Sequence, residues 1–206
     1  MQRIAHLVGE LRGAIGDERV LDAIRTVPRE AFLPPELRSR AYENVALPIG
    51  EQQTISQPLV VARMTELLRL RPSDRVLDVG TGSGYHAAVL AQLAEHVWSV
   101  ERHRSLSEQA AANLRRAGVE NVTPIVGDGS RGLPAEAPFD AINVAAAAWP
   151  EIPPALERQL APGGRLVAPV GASGQQLVLV ERSEAGELTR RMLDPVRFVP
   201  LVEGEP

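Results

Sequence analysis

The chain of 206 residues contains no cysteine. This excludes disulfides, thiolate nucleophiles and Cys-ligated zinc or iron–sulfur sites. Lysine is also absent, so all 22 basic residues are arginine. Schiff-base chemistry and a lysine general base are out of reach, because a guanidinium stays protonated. Four histidines without a cluster argue against a His-based metal site. The net charge is -4 and the arginines are spread along the chain, which leaves no electrostatic footprint for nucleic acid. No run is long and apolar enough to span a membrane. The opening residues Met1 to His6 lead into an amphipathic stretch without a signal-peptide core. These absences fit a cytoplasmic protein with neither a nucleic-acid nor a membrane partner.

What is present reads as an ordinary globular chain, 44% hydrophobic and 23% charged. Its length suits one domain, residues 1–206, with a sizeable core. Apolar residues at Ile4, Leu7, Val8, Leu11, Ile15, Val20, Leu21 and Ile24 recur at helical spacing. Gly13 and Gly16 split them into two helices. Prolines between 27 and 35 break the pattern, and residues 40–56 read as irregular or extended. Residues 1–55 are thus an N-terminal helical extension ahead of a core from 56 onward. In that core helices are expected over 58–70, 84–94, 106–117 and 152–160, the last ended by Pro162, Gly163 and Gly164. Strands are expected over 75–79, 97–101, 122–126, 139–144, 165–169, 176–181 and 190–199. The alternation predicts an α/β, Rossmann-like, doubly wound and mostly parallel sheet. The last strands have no room for helices between them and should form an antiparallel C-terminal edge.

Val76-Leu-Asp-Val-Gly-Thr-Gly-Ser-Gly-Tyr85 reads as a buried strand turning through glycines into a helix, where α/β proteins hold nucleotide-like ligands. A dinucleotide fingerprint would need its third glycine at Tyr85, so the spacing argues against NAD or FAD. A tight turn with no ligand stays open on this motif alone. Glu101 ends the next strand, 17 residues after Gly84, where a carboxylate can accept both hydroxyls of a ribose. Gly127-Asp128-Gly129-Ser130 follows the third strand. Asp128 can accept an adenine amino group, and the glycines let backbone approach the ring.

This layout resembles class I S-adenosylmethionine-dependent methyltransferases. A second stretch, Gln53-Thr54-Ile55-Ser56-Gln57-Pro58, narrows the resemblance. Together with Val27-Pro-Arg29, Ala41-Tyr-Glu43, Leu47-Pro-Ile-Gly50, Pro162-Gly-Gly-Arg-Leu-Val167 and Pro195-Val-Arg-Phe-Val-Pro-Leu201, it resembles the protein-L-isoaspartate (D-aspartate) O-methyltransferase family over nearly the whole chain. The resemblance implies methyl transfer from S-adenosyl-L-methionine, leaving S-adenosyl-L-homocysteine, to the misplaced carboxylate of isoaspartyl proteins and peptides. It implies that Gly80, Thr81 and Gly82 approach the methionine part, with Asp78 supporting the turn. Glu101 would hold the ribose, and Asp128 with Gly129 the adenine. Ser56 is the expected catalytic residue, orienting the carboxylate as a hydrogen-bond donor rather than attacking it. Helix capping is its competing role. Thr54, Ile55, Gln57, Arg197 and Val199 would contact the substrate, and a monomer is the family expectation. Where the family often has Asp and Gly, this chain has Asn44 and Gln52, and Glu51 adds a carboxylate beside the loop. Two other readings stay open here: a methyltransferase dedicated to Asp or isoAsp in one peptide, and a cofactor-binding protein without catalysis.

Overall fold

The seven runs expected as strands become the seven strands of one sheet, whose central members are buried almost throughout. β3 (Arg75–Val79), β4 (His96–Glu101), β5 (Val122–Val126) and β6 (Phe139–Val144) pair in parallel. Val76, Leu77 and Val79 of β3 are at most 1% exposed, each contributing about 1.5–3 kcal/mol of burial. β7 (Leu160–Val170) continues the parallel run beside β6, and β8 (Gln175–Arg182) and β9 (Leu188–Val196) complete it antiparallel. The strand order is β5-β4-β3-β6-β7-β8-β9. The order reverses between β3 and β6, so a crevice opens at their carboxyl ends. The computed structural model describes residues 2–204.

Helices cover both faces of the sheet. α3 (Pro58–Leu68) and α4 (Tyr85–Ala91) bury Met64, Leu68, Ala87 and Leu90 against Val76, Val97 and Val167. On the opposite face Leu156 of α6 (Pro154–Arg158) joins Leu77, Phe139 and Ile142. α1 (Gln2–Leu11) and α2 (Glu18–Thr26) form a further layer. Their Leu7, Leu11, Leu21 and Ile24 share one apolar cluster with Tyr85 and Val89 of α4 and with Leu106 and Leu114 of α5 (Arg104–Arg116). Asp17 caps α2 by accepting the Arg19 N–H at 2.9 Å.

Several boundaries differ from expectation. Residues 40–56 hold a two-stranded hairpin, β1 (Leu47–Gly50) with β2 (Gln53–Ile55), separate from the main sheet. Its turn residues Glu51 and Gln52 both lie in the left-handed region, at φ 48° and 57°, the geometry of a two-residue type I′ turn without its usual glycine. The helix expected over 152–160 is only five residues long. Pro162, Gly163 and Gly164 do not end it. They lie inside β7, where the register against β6 shifts between Phe139 and Ala141. No helix among the described residues is long and apolar enough to cross a membrane.

Candidate active site

β3 delivers the chain to the crevice at Val79, and the next three residues turn it. Gly80 has φ 93° and its N–H donates to the Val100 carbonyl at 2.9 Å. A Cβ there would lie 3.5 Å from Ala145, just after β6, so the turn sits at the point where strand order reverses. Gly82, at φ 52°, donates its N–H to Glu101 Oε2 at 2.8 Å. The other oxygen of Glu101, Oε1, accepts the His103 N–H at 3.0 Å. The carboxylate is 6% exposed and fixed by two backbone donors. Each oxygen keeps a lone pair for a ligand hydroxyl.

Asp78 lies beneath this turn and is fully buried. Its Oδ2 accepts from Ser99 Oγ and its Oδ1 from Asn143 Nδ2, both at 2.7 Å. Burial pushes its carboxyl up to about 6, against the two hydrogen bonds, which favour the ionised form. Asp78 does not line the crevice, and its support of the turn is indirect.

The third element departs further from expectation. Asp128 caps a short turn over Gly129–Arg131: its Oδ1 accepts the Ser130 N–H at 3.0 Å and the Ser130 hydroxyl at 2.6 Å. Its Oδ2 accepts the Gly204 N–H at 3.0 Å. Burial raises this carboxyl, but the Ser130 and Gly204 donors and nearby Arg131 outweigh it and hold the group below its ordinary value. Gly129, by contrast, faces the crevice. A Cβ there would meet Val79 Cγ1 at 2.5 Å, so this wall can only be bare backbone.

The loop of residues 53–58 lies across the mouth. The N-cap of α3 is Gln57, which makes no side-chain capping bond. Asn44 supplies one instead, its Oδ1 accepting the Leu59 N–H at 3.0 Å. The capping role set against Ser56 therefore falls to other residues. The opposite wall is residues 195–202, the end of β9 and the segment beyond it. Gln175 pins it by using both ends of its amide, accepting the Phe198 N–H at 2.6 Å and donating to the Phe198 carbonyl at 3.0 Å. Val199 accepts from Ala147 N at 2.7 Å, and Arg102 donates to Val202 O at 3.0 Å.

These walls enclose a cavity of about 1220 Å³. That exceeds the usual range of roughly 300–1,000 Å³ for one small ligand, so a cofactor and part of a second substrate fit together. Thr54, Ile55, Ser56, Gln57, Gly80, Thr81, Gly82, Glu101, Gly129, Arg197 and Val199 all line it; Asp78 and Asp128 do not.

Sequence reasoning did not single out His86, Tyr85 or Gln175. His86 lines the cavity and is held neutral, burial pushing its pKa down to about 3. Tyr85 lines it too, and the fully buried guanidinium of Arg29 lies 4.8 Å from that ring centroid. Polar residues in an apolar helical run, as at 85 and 86, or at the start of a strand, as at 175, give no signal of this kind.

With this geometry in place, comparison with known proteins is decisive. The family model for protein-L-isoaspartate(D-aspartate) O-methyltransferase matches residues 2–206. The chain belongs to this family.

A protein-L-isoaspartate O-methyltransferase of Serratia proteamaculans (strain 568) is 53% identical over 205 residues, 99% of this chain and 98% of that protein. A solved protein-L-isoaspartate O-methyltransferase superposes with TM-score 0.84 at 32% identity, over 96% of this chain. This chain spans 65% of that longer protein. A Plasmodium falciparum family member, solved in complex with S-adenosyl-L-homocysteine, superposes with TM-score 0.82 at 26% identity, covering 97% of this chain and 98% of its own. The isoaspartyl methyltransferase family and the Rossmann-like methyltransferase fold expected from the sequence are both borne out.

Proposed function

We propose that this chain is a protein-L-isoaspartate O-methyltransferase. It transfers a methyl group from S-adenosyl-L-methionine to the α-carboxylate of L-isoaspartyl residues in damaged proteins and peptides. The observation that carries this reading is the single cavity faced by both the Ser56 loop and the Glu101–glycine-turn constellation.

The cavity suits the cofactor on physical grounds. Glu101 is prefixed by two backbone N–H groups and would hold the ribose. Gly129 offers bare backbone to the adenine, and Asp128, off the cavity wall, caps the turn that presents it. Gly80, Thr81 and Gly82 would face the methionine part, braced from below by Asp78. His86 is neutral, so it adds no charge against a sulfonium. When bound, the cofactor supplies an electrophilic methyl group.

The chain's own task is then orientation and exclusion of water. A carboxylate acceptor is already deprotonated at neutral pH, so no general base is needed. The Ser56 hydroxyl donates to one carboxylate oxygen and leaves the other free for in-line attack. Alignment of this kind supplies roughly 7–11 kcal/mol in favourable intramolecular cases. Thr54, Ile55 and Gln57 on one wall and Arg197 and Val199 on the other receive an extended peptide mainly through its backbone, which tolerates many sequences. The product methyl ester carries a better leaving group than the carboxylate, because its C–O bond can break with release of methanol. The neighbouring backbone nitrogen therefore closes a succinimide, whose hydrolysis returns some normal aspartate. The N-terminal layer shares its core with α4 and α5, which supports reading the chain as one methyltransferase domain; this reading further takes it as a cytoplasmic monomer.

The test is methyl transfer from labelled S-adenosyl-L-methionine to a matched peptide pair, one isoaspartyl and one aspartyl. Label on the isoaspartyl peptide alone, lost by at least about a hundredfold in Ser56→Ala, is expected. Equal label on both peptides would overturn the substrate reading.

A further inference from the structure

Six buried side chains from five elements and the glycine turn form one hydrogen-bonded chain beneath the cavity. In order they are Thr81, Ser99, Asp78, Asn143, His86 and Thr65, and none is more than 7% exposed. Thr81, inside the glycine turn, and His86, just after it, are four links apart in this chain and both line the cavity.

We infer that His86 and Asn143 are positioning residues for the cofactor: with Asp78 they hold both ends of the 81–86 turn in one fixed hydrogen-bond direction. The inference deepens the methyltransferase reading and rests on it.

Proton counting sets the direction. An ionised carboxylate only accepts. Ser99 spends its one proton on Asp78 Oδ2 at 2.7 Å, so the 2.6 Å contact between Thr81 Oγ1 and Ser99 Oγ is donated by Thr81. On the other side Asn143 Nδ2 donates to Asp78 Oδ1 at 2.7 Å. Flipping that amide would set an oxygen against the carboxylate, which fixes its orientation. Its second N–H faces His86 Nδ1 at 3.2 Å. Nδ1 therefore accepts, the ring proton sits on Nε2, and Nε2–H donates to Thr65 Oγ1 at 3.2 Å.

Packing alone does not explain the arrangement. Asn143 is fully buried, and its Oδ1 finds no protein partner. An apolar residue at 143 would avoid that cost but would strip Asp78 Oδ1 and His86 Nδ1 of their donor, so the amide serves the network rather than the packing. The network earns its place by fixing where Thr81 and His86 stand.

The experiment uses the full chain. Long-range 15N imidazole NMR should show His86 as the Nε2–H tautomer at about pH 7.5–8, where Asp78 is ionised. Asn143→Leu should melt at a lower temperature but still cooperatively, because Asp78 Oδ1 loses its donor, and should lose the single tautomer. Asn143→Leu and His86→Leu should both weaken S-adenosyl-L-homocysteine binding and raise KM for S-adenosyl-L-methionine about tenfold, with kcat at saturation kept within about threefold. His86→Gln keeps an acceptor toward Asn143 and a donor toward Thr65, and should restore affinity to within about threefold of the parent. An Nδ1–H tautomer in the parent would overturn the inference. So would unchanged affinity in both folded leucine variants, or a glutamine variant as weak as the leucine one. Failure of the methyltransferase reading looks different: the parent chain itself would not bind S-adenosyl-L-homocysteine, and the inference would fall with it.

Discussion

The Ser105 hydroxyl donates to Glu51 Oε1 at 2.7 Å, fastening the tip of the β1–β2 hairpin to the first turn of α5. The carboxylate that would otherwise repel an acidic substrate is thereby tied to a helix N-terminus, where the dipole favours negative charge. Ser105→Ala should release it. The expected result is a KM for isoaspartyl peptide raised about three- to tenfold with kcat nearly unchanged, read from steady-state kinetics. Equal loss in both constants would mean the latch acts on the reaction rather than on peptide binding.

The same hairpin carries backbone strain. Gln52 sits at φ 57°, a region that costs a residue with a Cβ roughly 1–2 kcal/mol. Gln52→Gly removes that cost and gives back part of it as unfolded-state entropy. A net gain of about 0.5–1 kcal/mol in urea unfolding is expected. A lower midpoint would show that the Gln52 side chain contributes more than its backbone costs.

Stability should carry the signature of Asp78. Its folded pKa of about 6 lies above an ordinary value of 3.8. The folded state therefore binds the extra proton between these values. The stabilisation is fully present below about pH 4 and is lost as pH rises through about 6. His86, held neutral down to about 3 from an ordinary 6.5, contributes the opposite slope. Comparing the parent with Asp78→Asn cancels that term. The difference in unfolding free energy should move against the parent by on the order of 2–3 kcal/mol between pH 4 and 7. A flat difference would mean that Asp78 is no more costly to ionise when folded.

Gly129 answers to space rather than to backbone conformation. A Cβ there would lie 2.5 Å from Val79 Cγ1, so Gly129→Ala should cost about 1–3 kcal/mol by overpacking. Val79→Ala opens the required room. The double variant should be more stable than the sum of the two single effects predicts by at least about 1 kcal/mol. Strict additivity would place the clash elsewhere.

Legibility in the sequence followed burial. β3, β5 and β6 are readable to the residue because short, mostly apolar and β-branched runs there are bounded by turn residues. Glu101 and the glycine turn were readable because their chemistry lies at strand ends. The β1–β2 hairpin was hidden, since Glu51 and Gln52 occupy left-handed positions that normally announce themselves as Asn-Gly. The shift in β7 was hidden because Pro162-Gly163-Gly164 reads as a helix stop. The expected wall contact of Asp128 did not anticipate Gly204, 76 residues away, taking one of its oxygens. His86 and Asn143 gave no signal, because their partnership exists only across the sheet.

The Asp128–Gly129 step has a consequence for the lifetime of the protein itself. An aspartate followed by glycine is the kind of dipeptide most prone to succinimide closure, since nothing shields the glycine nitrogen from the preceding side chain. Here neither residue is free to change: Val79 leaves no space for a Cβ at 129, and the turn needs the Asp128 cap. The folded state opposes the reaction by keeping that carboxyl ionised, hence a poor electrophile, and pointing it forward onto Ser130. Ageing of the unfolded chain at this one peptide bond would create in the methyltransferase the lesion its family repairs, so the fold guards a wall of its own cavity.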